Sequence, residues 1–181
     1  MKIKRLLFIV ILFFAKSSVS TTLDLAWVRN SFVEAITNSA KAEELYKKLN
    51  ETNCNNQPIL LAYKGATEGL LAKHSFFPTT KLSYLNKGLE NINKAVKLSP
   101  ENEEIRHIRF NIETSMPSFL GRSVHVEEDK NFLLHFLQTT KINKGNSSLL
   151  RQYANTLLNS KLCKPTEVNL LTKIVEQCKQ A

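Results

Sequence analysis

Apolar residues recur at spacings of three and four from residue 23 to the end of the chain, and strict alternation of apolar with polar residues is almost absent. That is the period of helices burying one face, so the sequence predicts an all-α fold of about seven or eight helices. Leu25, Val28, Phe32 and Ile36 form the first stripe, with Trp27 beside it and Thr22 as its cap. Ser39 starts a second, shorter helix through Ala42, Leu45 and Leu49. The asparagine-rich NETNCNNQP at 50–58 reads as a turn, and its proline suits the first turn of a third helix over 58–74. A fourth helix is predicted over 81–98. In the fifth, Ser99 is the cap, Pro100 the first position, and Glu101, Glu103 and Glu104 face the positive end of the helix dipole. Its stripe is Ile105, Ile108 and Ile112, and MPSFLGRS at 116–123 breaks it. Three more helices are expected over 126–138, 147–159 and 165–177. Short linkers such as KINKGN join the helices, which argues for one domain.

The third helix carries an anomaly. AYKGATEGLLAK at 62–73 holds two glycines, each costing a helix interior roughly 1 kcal/mol against alanine. Ala62, Gly65, Ala66 and Gly69 fall on one face, leaving it nearly bare backbone, and the fourth helix adds Gly88 to its own stripe of Leu85, Leu89, Ile92, Ala95 and Val96. Bare faces let two helices approach closely and gain dispersion contacts along their length. The expectation is a tight antiparallel hairpin over 58–100, with Gly65, Gly69 and Gly88 at its seam.

Gly88, Ile92, Ala95 and Pro100 have the order of small, large, alanine and terminal proline found in the second half of a tetratricopeptide repeat, which this hairpin resembles. Tyr63, Ala66 and Leu70 match the aromatic and small positions of the repeat's first helix, although the HSFFPTT connection exceeds a strict unit. The likeness spans about 40 residues. The run from AYKGA through SPENEEIRHIRFNI to PSFL also resembles a group of exported flavobacterial proteins with no assigned activity. The repeat resemblance implies a fragment of an α-solenoid, a non-catalytic scaffold whose concave face binds peptides or partner proteins.

Composition changes the picture at the N-terminus. MKIKRLLFIVILFFAKSSVS has a basic start, a ten-residue apolar run from Leu6 to Ala15, and Ser18 and Ser20 at the small-residue positions of a cut after residue 20. Ten residues rise only about 15 Å as a helix, half a bilayer core, so the segment reads as a secretory signal peptide ahead of a single helical domain over 21–181, periplasmic or secreted. Losing Lys2, Lys4, Arg5 and Lys16 with it leaves 21 basic against 16 acidic residues. That excess is spread without a basic run, which by charge alone argues against nucleic acid or a membrane surface as partner.

Cys54, Cys163 and Cys178 make an odd count, so at least one thiol stays unpaired in an oxidising compartment. Cys163 and Cys178 flank one predicted helix, about 20 Å apart, too far for a bridge. Pairing of Cys54 with Cys163 or with Cys178 stays open, as do three free thiols.

Catalytic signatures are sparse. His74, His107, His125 and His135 lack zinc spacing, and HVEED at 125–129 lacks the two-histidine arrangement of a zinc helix. Glu127, Glu128 and Asp129 are expected as first-turn charges of the sixth helix. No serine elbow or phosphate-cradling glycine loop is present, so no metal, cofactor or enzymatic activity is expected. Two features invite recognition. Arg106 and Arg109, with Phe110 beyond them, stand at the margin of the isoleucine stripe, either gripping a partner's carboxylate or pairing locally with Glu103 and Glu113. Phe76 and Phe77 before Pro78, and Phe119 after Pro117, either seal the bundle or form the mouth of a ligand site. The leading functional reading is an exported, non-enzymatic scaffold for a protein or peptide. A helical carrier of a small apolar ligand and a secreted or periplasmic hydrolase are the alternatives.

Overall fold

The computed structural model describes residues 23–117, 120–121 and 123–181, so the segment expected to be a signal peptide, the expected cap Thr22 and Phe119 lie outside the described residues. The described chain is all-helical: α1 (Leu25–Ala35), α2 (Ser39–Glu51), α3 (Pro58–His74), α4 (Pro78–Leu98), α5 (Glu103–Ser115), α6 (Val126–Thr139), α7 (Ser147–Ser160) and α8 (Pro165–Gln180). No described helix is long and apolar enough to cross a membrane.

Side chains with a free oxygen set several of the helix starts. Asp24 caps α1 by accepting from the Ala26 amide, and Asn38 caps α2 through Lys41. The fifth helix begins later than expected: Asn102 is its cap, accepting from the Ile105 amide, while Ser99 ends α4 and Pro100 lies in the turn between. Asn102 prevails because its carbonyl reaches the free amide of the first turn, whereas the Ser99 amide is already bonded to the Ala95 carbonyl. Glu103 and Glu104 do occupy the first turn. The fourth helix starts three residues early, at Pro78, whose fixed φ suits an N-terminal position.

The hairpin of α3 and α4 is the tightest pair in the molecule. A Cβ placed on Gly65 would stand 2.5 Å from the Gly88 carbonyl oxygen, and one on Gly88 would stand 2.7 Å from the Gly65 oxygen. The two backbones therefore touch without side chains between them. The Gly69 backbone nitrogen also lies at this seam, 3.4 Å from a Cβ placed on Gly88, whereas a Cβ on Gly69 itself would point to α5, 3.0 Å from Ile112 Cδ1. Helix α3 is buried on nearly every side, by α1, α2, α4 and α5.

Two apolar cores result. Val28, Leu45, Leu60, Ala66, Ile92 and Ile105 belong to the first, built by α1 to α5; Leu133, Tyr153, Leu157 and Leu171 belong to the second, built by α6 to α8. Helix α5 serves both, turning Ile105 and Ile108 to the first core and Phe110 to the second. Ile36 leaves its expected stripe: it is the exposed C-cap of α1, and Ala35 takes the buried place. All three cysteines are free, with Cys54 in the first core and Cys178 in the second, so neither open pairing forms.

Candidate functional site

Helix α5 collects the buried polar chemistry of the chain. Its register places Glu104, Arg106, His107, Arg109 and Glu113 where neighbouring helices cover them, and each finds a partner there. Arg109 makes a two-pronged contact with Asp129 of α6, Nε to Oδ2 and Nη2 to Oδ1, both at 2.7 Å. Arg106 adds a bond from Nη1 to Asp129 Oδ1 at 2.8 Å, reaches Glu128, and donates Nε to the Pro100 carbonyl at 2.9 Å. Its guanidinium lies 4.8 Å from the centre of the Phe132 ring. Asp129 is 0 % exposed and Arg109 4 %. An ionised carboxylate at that depth needs both arginines, because removing it from water costs several kcal/mol.

The expected grip on a carboxylate is thus occupied by the chain itself, and Arg106, Arg109 and the wholly buried Phe110 offer no open surface. The expected local pairs do not form either. Both oxygens of Glu113 go to His125, one to the backbone amide and one to Nδ1, each at 2.7 Å. Of the three first-turn acids of α6, Glu127 and Glu128 are solvated as expected, whereas Asp129 is structural. The sequence held a signal for this, since Asp129 lies four residues before Leu133 and therefore on the apolar stripe. Lys130, four before Leu134, is likewise buried; it pairs with Glu127 and donates to the Leu162 carbonyl.

A second polar group joins α1, α3 and α5. Glu104 accepts from Arg29 through Nε at 2.7 Å and Nη2 at 2.5 Å, and from the Tyr63 hydroxyl at 2.8 Å. Burial works to raise its carboxyl, but these donors outweigh it and hold the group below its usual range. His107, one turn along, packs on Tyr153 with ring centres 4.4 Å apart, and its Nε2 lies 2.9 Å from Thr156 Oγ1 and 3.0 Å from the Asn111 amide nitrogen. An amide donor at Nε2 fixes that nitrogen as an acceptor, and burial pushes the imidazole down to about 4, so the ring is neutral. In α3, Glu68 is also buried and accepts from Asn91 at 2.7 Å; burial raises its carboxyl against that bond. These are interior ties that join helices. Among the described residues no group of histidine, cysteine or carboxylate side chains is placed to hold a metal.

Surface chemistry lies elsewhere. Helices α6 and α8 both pack on α7, and an open groove of about 550 Å³ lies between the end of α6 and the outer half of α8. Ile142 and Leu170 stand partly exposed in it over the buried Leu137 and Ile174, and Gln138, Thr140, Lys173 and Gln177 line it with polar groups. Sequence reasoning missed this groove, because it depends on the angle between two helices remote in the chain. A shallower cleft of about 410 Å³ lies beside Tyr46, Ser83 and Tyr84. Phe76 and Phe77 do not seal the bundle: they are 89 % and 66 % exposed at the corner between α3 and α4, edge to face with each other with centres 5.6 Å apart.

The chain matches no protein-family model, no curated protein and no solved structure.

Proposed function

We propose that this protein is a non-enzymatic, exported helical scaffold that binds a peptide segment of a partner protein in the groove between α6 and α8. The observation that carries the reading is the mixed chemistry of that groove: Ile142 and Leu170, partly exposed, beside the side-chain amides of Gln138 and Gln177. A glutamine amide offers a donor and an acceptor at once, the complement of a peptide group, while Ile142 and Leu170 meet the partner's apolar side chains. The buried carboxylates and His107 are bonded within the fold, which leaves binding rather than catalysis as the work this surface is suited to. Export is carried by the composition of residues 1–20. The repeat-like reading draws support from the close backbone approach of α3 and α4 at Gly65 and Gly88.

Selection of a random peptide library against the wild-type protein and against Leu170→Arg tests this. Leu170 is only partly buried but packs on the second core, so the comparison is made once circular dichroism and urea unfolding show that the variant keeps its fold. The expected outcome is a family of apolar peptides whose affinity falls at least tenfold in the variant. Peptides that bind both proteins equally, or none at all, refute the assignment.

A further inference from the structure

We infer that the corner between α3 and α4 docks on an anionic lipid surface, a second site independent of the peptide groove. Phe76 and Phe77 project from this corner, Leu82 follows one turn into α4 at 44 % exposure, and Val33, 66 % exposed, stands at the end of α1 beside it. The two helix ends are tied together: Lys73 donates to the Ile36 carbonyl at 3.0 Å, and His74 lies 3.1 Å from the Ala35 carbonyl. Charge complementarity names the occupant. From Gly69 to Leu89 the chain has no aspartate or glutamate, and Lys73 and Lys81, both exposed, stand within about one turn of the aromatic pair. Glu68 is buried against Asn91, and Glu34 lies 4.0 Å from Lys41.

Shape separates a bilayer from a protein. A projecting pair of rings has no walls to enclose a peptide, whereas a fluid interface closes around it, and apolar phenylalanine rings sink to the acyl boundary. Lys73 and Lys81, on either side of the pair in the chain, then meet anionic headgroups. The backbone holding the rings is fixed by bonds from the Ser75 amide to the Leu71 carbonyl and from the Lys81 amide to the Phe77 carbonyl, so little order is lost on docking.

A probe at the corner itself tests the proposal without interference from the apolar N-terminus. Phe77→Trp in the full chain adds an emission that is read against the wild type, which has Trp27 alone. With vesicles rich in phosphatidylglycerol and brominated in the acyl chains, that added emission is expected to be quenched. With phosphatidylcholine vesicles quenching needs at least about tenfold more lipid, as it does with anionic vesicles when Lys73→Glu and Lys81→Glu are combined. No quenching in anionic vesicles overturns the assignment, as does equal quenching by both lipids. Shielding of the probe only by a soluble acidic protein would make the corner a protein-docking site and sink the lipid assignment. Peptide affinity in the groove, read through Leu170→Arg, is unaffected by any of these results.

Discussion

His107 ties stability to pH in one direction. Its folded value of about 4 lies below the ordinary 6.5, so a proton favours the unfolded chain. The contribution is whole above pH 6.5 and is lost as pH falls toward about 4, a difference of roughly 3 kcal/mol at the acid end. Glu104, held low by Arg29 and Tyr63, adds an acid loss only below its ordinary 4.5, and Glu68 runs the other way because burial raises it. Glu68 acts in the wild type and in His107→Gln alike, so the difference between the two isolates the histidine. Urea unfolding between pH 6.5 and 5 should show wild-type stability falling relative to His107→Gln, whose amide can still bond Thr156. The sequence shows a histidine three residues after Glu104 but not its neutrality, because Tyr153 and Thr156, which cover it, come from a helix more than 40 residues away.

At the scale of elements, most helix spans are legible because period and caps are local properties. The glycine seam is legible too, since only close backbone approach explains glycine at 65 and 88 against a propensity cost of roughly 1 kcal/mol each. The three glycines separate on substitution. Gly65→Ala and Gly88→Ala put a Cβ against a backbone carbonyl at 2.5 and 2.7 Å, which the rigid hairpin cannot relieve. Each should lower stability by about 1–3 kcal/mol, measured by urea unfolding. Gly69→Ala meets only the end of the Ile112 side chain at 3.0 Å. That atom can move, and the propensity gain offsets the crowding, so the same measurement should find this variant near neutral. The start of α5 was misplaced because Ser99, Pro100 and Asn102 each carry a start signal. Only the hydrogen bond from the Ile105 amide chooses between them.

Across the whole molecule, α5 joins two cores, and the ion cluster on Asp129 fastens it to α6. Asp129→Ala leaves two buried guanidinium groups without their shared carboxylate, which should cost about 3–5 kcal/mol. The loss falls on one side of the joint. Trp27 is the chain's single tryptophan and packs on the first core, so its fluorescence follows α1 to α5, while far-ultraviolet circular dichroism follows all the helices. In the wild type the two urea transitions should coincide. In Asp129→Ala the dichroism should begin to fall at lower urea than the fluorescence, showing α6 to α8 loosening first; coincident transitions would mean that the cores are coupled by apolar contact alone.

By itself the sequence determined the helical class, most spans and the close approach of α3 to α4, because periodicity, caps and missing side chains act between neighbours in the chain or across one turn. Tertiary structure alone decided the fate of charge and aromatic surface. It turned Arg106 and Arg109 inward onto Asp129, left Phe76 and Phe77 in solvent, and opened the groove between α6 and α8. The reason is solvation: whether a charged or aromatic group meets water depends on which remote helix covers it, and that is set by the packing of whole helices.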